Sequence, residues 1–123
     1  MLDHISIGVS DRDKAKTFYT AALATLGLKK VADYGEACAY GPSPDIPFFW
    51  VQETPGERKL PGYHWALRAP NRGAVHAFHA AAITYGGSSD GEPGPRDYTE
   101  HYYAAFVLDP DGNKIEAVCY DPE

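Results

Sequence analysis

The feature of this chain that most constrains its fold is an internal repeat with a spacing of 60 residues. An offset of 60 aligns residues 3–27 with residues 63–87 without a gap. The identical pairs are His4 with His64, Arg12 with Arg72, Phe18 with Phe78, Ala21 with Ala81, Ala22 with Ala82 and Gly27 with Gly87. A module of about 60 residues buries too little surface to be reliably stable by itself, so we expect the two halves to fold together as one domain.

The sequence of the first module, residues 1–53, predicts a strand, a helix and further strands. Apolar and polar side chains alternate over residues 2–9, which is the period of a half-buried strand. Ser10 or Asp11 then caps a helix that ends near Gly27. Residues 29–40 carry enough β-branched and aromatic side chains, and are broken at Gly35, to predict two short strands. Residues 46–52 predict one more strand.

The second module, residues 62–121, begins with the same pattern after a Pro- and Gly-rich linker over residues 54–62. A strand over residues 63–69 precedes a helix that is capped by Asn71 and ends at Gly86 and Gly87. Residues 88–96 include four that are Gly or Pro, so they predict a long loop. Residues 101–108 and 114–120 predict strands joined by a turn over residues 109–113.

The charge balance limits the classes of partner. The chain of 123 residues has 11 Lys and Arg against 17 Asp and Glu, a net charge of −6, which disfavours nucleic acid or an anionic membrane as partner. It has no apolar run of membrane-spanning length and no basic segment followed by an apolar one at its start. The two cysteines, Cys38 and Cys119, have no CxxC spacing, and we expect free thiols. We expect a cytoplasmic protein that acts on a small molecule.

Three potential metal ligands lie on predicted strands: His4, His64 and Glu116. His4 and His64 occupy matching places in the repeat, and alternation directs His4 and Glu116 away from the apolar face of their strands. If the two modules form a cup, the three side chains converge on its floor. Two imidazoles and one carboxylate suit Fe, Zn, Ni or Mn and leave positions open for substrate oxygens. The alternative is that each residue is hydrogen-bonded separately.

Further side chains are candidates for substrate binding. Trp50 and Phe48 share a face of their predicted strand and can line an apolar wall, although aromatic side chains of the core or of a dimer interface give the same pattern. Arg68 lies on the face of His64, where a guanidinium can bind a carboxylate or an enolate oxygen. The alternative for Arg68 is a salt bridge at the rim.

A polar and aromatic cluster follows the Gly- and Pro-rich segment. Its members are Arg96, Tyr98, His101, Tyr102 and Tyr103. Among them, His101 and Tyr103 are candidates for proton transfer, and Arg96 and Tyr102 are candidates for substrate binding. The strand register decides which of them faces the metal.

Three motifs carry a resemblance to a known family: residues 2–9 with the Phe18–Tyr19 pair, residues 62–66, and residues 106–116. With them the whole chain resembles the vicinal oxygen chelate superfamily, which includes glyoxalase I, bleomycin-resistance proteins, fosfomycin-thiol transferases and extradiol dioxygenases. The resemblance implies an α+β fold in which two βαβββ modules form a U-shaped mixed sheet around a divalent metal ion, often in a homodimer. His4, His64 and Glu116 match the metal positions of the family.

Departures from the family pattern narrow the expected chemistry. Glyoxalase I has a second carboxylate in its first module, where an offset of 66 residues places Trp50, and an arginine where this chain has Gly8. Bleomycin-resistance proteins generally lack the metal ligands that this chain retains. We expect a metal-dependent lyase, isomerase or dioxygenase, in which the ion polarises two neighbouring oxygens of the substrate. The alternative is a non-catalytic protein that binds a drug-like small molecule.

Overall fold

Each half of the chain folds as a strand, a helix and three more strands. The computed structural model describes residues 1–54 and 63–122, so the predicted linker lies outside the described residues except for Thr54. The elements are β1 (Ile5–Val9), α1 (Arg12–Ala24), β2 (Lys29–Asp33), β3 (Ala37–Gly41), β4 (Phe49–Glu53), β5 (His64–Arg68), α2 (Arg72–Thr84), β6 (Ser88–Pro95), β7 (Tyr103–Leu108) and β8 (Lys114–Cys119). The α+β class and the two βαβββ modules are confirmed.

The predicted caps set the starts of both helices. The Asp11 carboxylate accepts from the backbone N–H groups of Asp13 and Lys14, at 3.0 and 3.1 Å, and Asn71 accepts from that of Ala74 at 2.8 Å. These bonds satisfy N–H groups that the first helical turn leaves without partners. Neither helix within the described ranges is long and apolar enough to cross a membrane.

The prediction of a loop over residues 88–96 is wrong, because residues 88–95 form strand β6. It pairs antiparallel with β7, and its register shifts between Ser89 and Gly91 and again between Gly91 and Gly94. Gly91 has a φ of 158°, and a Cβ atom there would lie 2.9 Å from the Phe106 ring. Glycine and proline mark an irregular edge strand here, because pairing along β7 and close contact with Phe106 outweigh their low strand propensity.

Each module forms its own four-stranded sheet. The strand orders are β1-β4-β3-β2 and β5-β8-β7-β6. β1 pairs parallel with β4 and β5 pairs parallel with β8, whereas the other pairs are antiparallel. The two strands that begin beside or at the repeated histidines, β1 and β5, therefore lie at corresponding edges of the two sheets.

One hydrophobic core joins the two modules. Phe18 and Tyr19 of α1 and Phe78 of α2 are fully buried in the same cluster as the inward residues of both sheets. Cys38 and Cys119 belong to this cluster, and both are free thiols as expected. The turn after β7 adds polar contacts across the modules: the Tyr19 hydroxyl donates to Asp109 Oδ2 at 2.6 Å. The two modules thus share one core and are linked by this polar contact.

Candidate metal and substrate site

The centre of the site is Glu116, a carboxylate buried on the side of its sheet that faces away from the helices. Its neighbours along β8, Ile115 and Ala117, pack in the main core, so alternation directs Glu116 to the opposite face. Glu116 is nevertheless only 1% exposed, and it lies opposite Ala66 of β5 and Phe106 of β7 in the strand register. A buried carboxylate costs stability unless charged or hydrogen-bonding groups compensate for its lost hydration.

Two side chains supply hydrogen bonds to Glu116, one for each oxygen. The imidazole Nε2 of His64, the first residue of β5, lies 2.8 Å from Oε1. The hydroxyl of Tyr102, which directly precedes β7, donates to Oε2. Burial, followed by the hydrogen bond to Glu116, raises the pKa of Tyr102, so this hydroxyl keeps its proton at neutral pH. The predicted pair of His64 and Glu116 is therefore brought together, with Tyr102 beside it.

His64, Tyr102 and Glu116 line a cleft of about 370 Å³ on the second module. The lining residues are His64, Asp90, Gly91, Arg96, Tyr98, Tyr102, Phe106, Lys114 and Glu116. Next to the cleft, the ring of Tyr102 makes edge-to-face contacts with Tyr98 and Tyr120, with centroids 5.0 and 5.3 Å apart. The guanidinium of Arg68 lies 4.8 Å from the centre of the Tyr120 ring. Arg68 thus lies on the face of the sheet that carries His64 and Glu116.

Two cations border the cleft on the side of Phe106. The Arg96 guanidinium and the Lys114 ammonium lie 5.3 and 4.8 Å from the centre of the Phe106 ring. Lys114 also pairs with Asp90 at 3.1 Å. Arg96 donates to the carbonyl oxygens of Glu92, Gly94 and Pro95, at 2.7, 2.9 and 3.3 Å. These bonds hold the end of β6 and leave the positive charge of Arg96 at the cleft.

The third predicted ligand, His4, lies in a different cleft. Its Nδ1 donates to Asp3 Oδ1 at 2.7 Å, and it borders a cleft of about 490 Å³ on the first module. The other lining residues are Asp3, Asp45, Ile46, Pro47 and Trp50. Within residues 1–54 and 63–122, no three His, Cys, Asp or Glu side chains are grouped closely enough to hold a metal ion. The structure of one chain therefore does not bring His4 to His64 and Glu116.

The aromatic pair of the first module is split between two environments. Trp50 stacks on Tyr34 with the ring centres 6.1 Å apart and borders the cleft of His4. Phe48, which lies before the first residue of β4, packs against the main core instead. The sequence analysis missed Tyr34, whose only signal is an aromatic residue beside the Gly35 turn.

The two residues expected to transfer protons lie away from Glu116. The Tyr103 hydroxyl and His76 Nε2 on α2 are joined by a hydrogen bond of 2.6 Å, and the Arg72 guanidinium lies 4.4 Å from the centre of the Tyr103 ring. Tyr103 thus faces the helix, on the side of the sheet opposite Tyr102. His101 is exposed, with a φ of 63° and its Nε2 3.5 Å from Glu100 Oε1. Of this cluster, the structure brings Tyr102, Tyr98 and Arg96 to the cleft.

In the cleft of Glu116, two side-chain atoms are placed as two ligands of one divalent ion would be. Ligand atoms bonded at about 2.0–2.2 Å and set at right angles on one ion lie about 2.8–3.1 Å apart. His64 Nε2 and Glu116 Oε1 are 2.8 Å apart, and an imidazole nitrogen and a carboxylate oxygen are ligand types that Zn, Fe, Ni and Mn accept. The pair can hold such an ion if another group completes its coordination.

Comparisons with known proteins agree with the fold and with the motifs. The family model described as the Glyoxalase/Bleomycin resistance protein/Dioxygenase superfamily matches residues 1–117. A comparison with curated proteins found no match. A glyoxalase/bleomycin resistance protein from Albidiferax ferrireducens is similar in structure, with a TM-score of 0.84 and 34% identity, over 94% of this chain and 95% of that chain.

More distant solved structures share the fold. A glyoxalase-related enzyme from Fulvimarina pelagi has a TM-score of 0.74 at 17% identity, over 96% of this chain and 86% of that one. A glyoxalase I mutant from Zea mays has a TM-score of 0.71 at 21% identity, over 94% of this chain but 45% of that one. At these identities the likeness concerns the fold alone.

Proposed function

Because the chain belongs to the Glyoxalase/Bleomycin resistance protein/Dioxygenase superfamily, we propose that it is a divalent-metal-dependent enzyme acting on a small molecule. The reaction is of lyase, isomerase or dioxygenase type, and two neighbouring oxygens of the substrate bind the ion. His64 and Glu116 are two of the protein ligands, and His4 of a second copy of the chain is the third.

The pairing of His64 with the buried Glu116 carries this proposal. Placing a carboxylate 1% exposed on a sheet face costs stability, and an apolar side chain of similar size would cost less. An imidazole 2.8 Å from that carboxylate, at the floor of a cleft, supplies the donor atoms that a divalent ion requires. A cation bound there compensates for the cost of burying the charge.

The separation of His4 from this pair supports a site shared between two copies. His4 directly precedes β1 and His64 is the first residue of β5, and these two strands are edge strands of separate sheets. A homodimer with two-fold symmetry can place the first-module cleft of one copy against the second-module cleft of the other, twice. The two clefts then form one substrate site, and the U-shaped surface runs across the two copies.

The residues around the pair have distinct roles in the proposed site. When bound, the ion supplies Lewis-acid polarisation of the substrate oxygens. Arg68 and Arg96 contribute positive charge that attracts an anionic group of the substrate, and Trp50 of the second copy gives an apolar wall. Tyr102 and Tyr98 border the remaining side of the cleft. Phe48 and Tyr103 support the elements that carry these residues, because both pack against the core.

Metal binding and its dependence on two copies can be tested together. Untagged protein is analysed for bound metal and then titrated with Mn²⁺, Fe²⁺, Ni²⁺ and Zn²⁺. His4→Ala and His64→Ala are each expected to abolish high-affinity binding. Unfolding and refolding an equal mixture of the two should restore about a quarter of the wild-type sites, because each mixed dimer has one intact site.

Two results would contradict the proposal. Wild-type protein that binds none of the four ions would exclude the metal site. A mixture of the two dimeric variants that regains no binding would exclude a site shared between copies. A refolded wild-type sample that recovers its full binding is the control for the procedure.

One observation favours a second candidate function, a non-catalytic protein that binds a planar molecule. Tyr34 and Trp50 stack at an interplanar angle of 19° beside the His4 cleft, and Tyr34 is 74% exposed, so their ring faces and edges are open to a ligand. This function predicts that aromatic ligands bind to His64→Ala as tightly as to the wild type. If His64→Ala abolishes binding of both metal and ligand, the enzyme proposal is favoured.

A further inference from the structure

We propose that Tyr102 is a positioning residue that reserves one oxygen of Glu116, so that the carboxylate binds the metal ion through the other oxygen alone. This inference rests on the proposed function, because it concerns the same carboxylate. Tyr102 is not one of the three predicted ligands. Its proposed role is to set how Glu116 binds the ion, and this role does not require a contact with the substrate.

The two oxygens of Glu116 have different neighbours. Oε1 lies 2.8 Å from His64 Nε2, so these two atoms are placed for a common ion. Oε2 accepts the hydroxyl proton of Tyr102. A hydrogen bond to the oxygen that does not bind the ion fixes the rotation of the carboxylate and the direction of the binding oxygen.

The backbone of Tyr102 is held on both sides. Its carbonyl oxygen accepts from the N–H of Arg96 at 2.8 Å, which closes the connection between β6 and β7. Its N–H donates to the carbonyl oxygen of Thr99 at 3.3 Å. The preceding residue, His101, has a φ of 63°, which turns the chain sharply before β7 begins. These backbone bonds therefore fix the position of the Tyr102 Cα atom, from which the side chain extends.

The ring of Tyr102 is also held by its neighbours. Tyr98 and Tyr120 contact it edge to face from two directions. It packs against a small buried cluster of Ala104, Phe106 and Val118. Because Glu116, the acceptor of the hydroxyl bond, is only 1% exposed, this bond restricts the carboxylate more than a bond to an exposed carboxylate would.

The test compares metal binding by two tyrosine-to-phenylalanine variants. Tyr102→Phe keeps the ring and removes the hydroxyl bonded to Glu116. Tyr19→Phe removes a hydroxyl bonded to another buried carboxylate, Asp109, and is the matched control for a general loss of stability. Titration with Ni²⁺ should show affinity about 10–100-fold weaker for Tyr102→Phe and unchanged for Tyr19→Phe. The visible absorption spectrum of bound Co²⁺ should change only in Tyr102→Phe, because a released carboxylate alters the coordination.

The outcomes separate this inference from the proposed function. If the wild type binds Ni²⁺ and Tyr102→Phe has the same affinity and the same Co²⁺ spectrum, the inference is wrong and the metal site stands. Equal weakening in both variants would show that stability, not position, controls the affinity, and would also overturn the inference. If the wild type binds neither ion, both proposals fail.

Discussion

At the scale of single residues, Glu116 is the position where function and stability are opposed. Its carboxylate is buried with one imidazole and one phenol as partners, and Arg96 and Lys114 also line the cleft. Two hydrogen bonds compensate only in part for burying a charge. The divalent ion proposed above would compensate for the remaining cost.

Glu116→Gln should separate the two effects. The amide oxygen can still accept from Tyr102 and the amide nitrogen can donate to His64, so the hydrogen bonds remain while the charge is lost. We expect an unfolding free energy unchanged or raised by about 1 kcal/mol, together with loss of high-affinity binding of Ni²⁺. Urea denaturation and calorimetric titration of the same sample measure the two quantities. A variant destabilised by several kcal/mol would show that the charge itself supports the fold.

At the scale of elements, β6 shows how a side chain stabilises a strand made of poor strand formers. The strand contains two glycines and two prolines, and its pairing with β7 is interrupted twice. The Arg96 guanidinium donates to three carbonyl oxygens at the end of the strand and lies on the Phe106 ring of the neighbouring strand. It thus replaces part of the lost strand pairing.

Arg96→Ala should loosen this end of the sheet. We expect a loss of about 1–3 kcal/mol in unfolding free energy, because several backbone carbonyls lose a charged donor. Amide exchange should rise in β6 and in the facing part of β7. Lys114→Ala is the matched control: it also lies on Phe106, but its partially exposed pair with Asp90 is worth at most about 1 kcal/mol. Equal exchange in the two variants would contradict this role for Arg96.

At the scale of the whole molecule, the turn after β7 connects the two modules. Asp109 accepts from the Tyr19 hydroxyl of the first module and from the backbone N–H groups of Asp111 and Asn113 in its own turn. The Asn113 side chain donates to the Gly8 carbonyl at 3.2 Å. The turn over residues 109–113, which lies within the motif 106–116 that resembles the family, is thus a structural contact between the modules.

Tyr19→Phe should weaken this contact in a pH-dependent way. Burial, followed by the charge of Asp109, raises the pKa of Tyr19 well above its usual value of 10.0. The folded state therefore keeps a proton that the unfolded state releases, and wild-type stability falls as the pH rises above 10. At pH 7 the variant should be less stable by about 1–2 kcal/mol, and the difference should shrink above pH 10. Denaturation at both pH values tests this, and a growing difference would contradict it.

The elements that depend on local chemistry could be predicted from the sequence. Strand alternation, the caps at Asp11 and Asn71 and the turn after β7 involve neighbours within a few residues, so they were predicted correctly. The repeat also indicated that His4 and His64 hold equivalent places. The strand β6 was missed because its pairing partner β7, with Phe106, lies close to it only after folding.

Which side chains meet depends on how the strands are arranged in the fold. Alternation places residues on a face, but it does not state which strand lies beside which, so the bonds of Glu116 to His64 and Tyr102 required the register of three strands. The placement of His4 in a separate cleft has the same origin. The modules are joined through the shared core around Phe18 and Phe78, and packing of that kind is spread over many contacts that no short motif encodes.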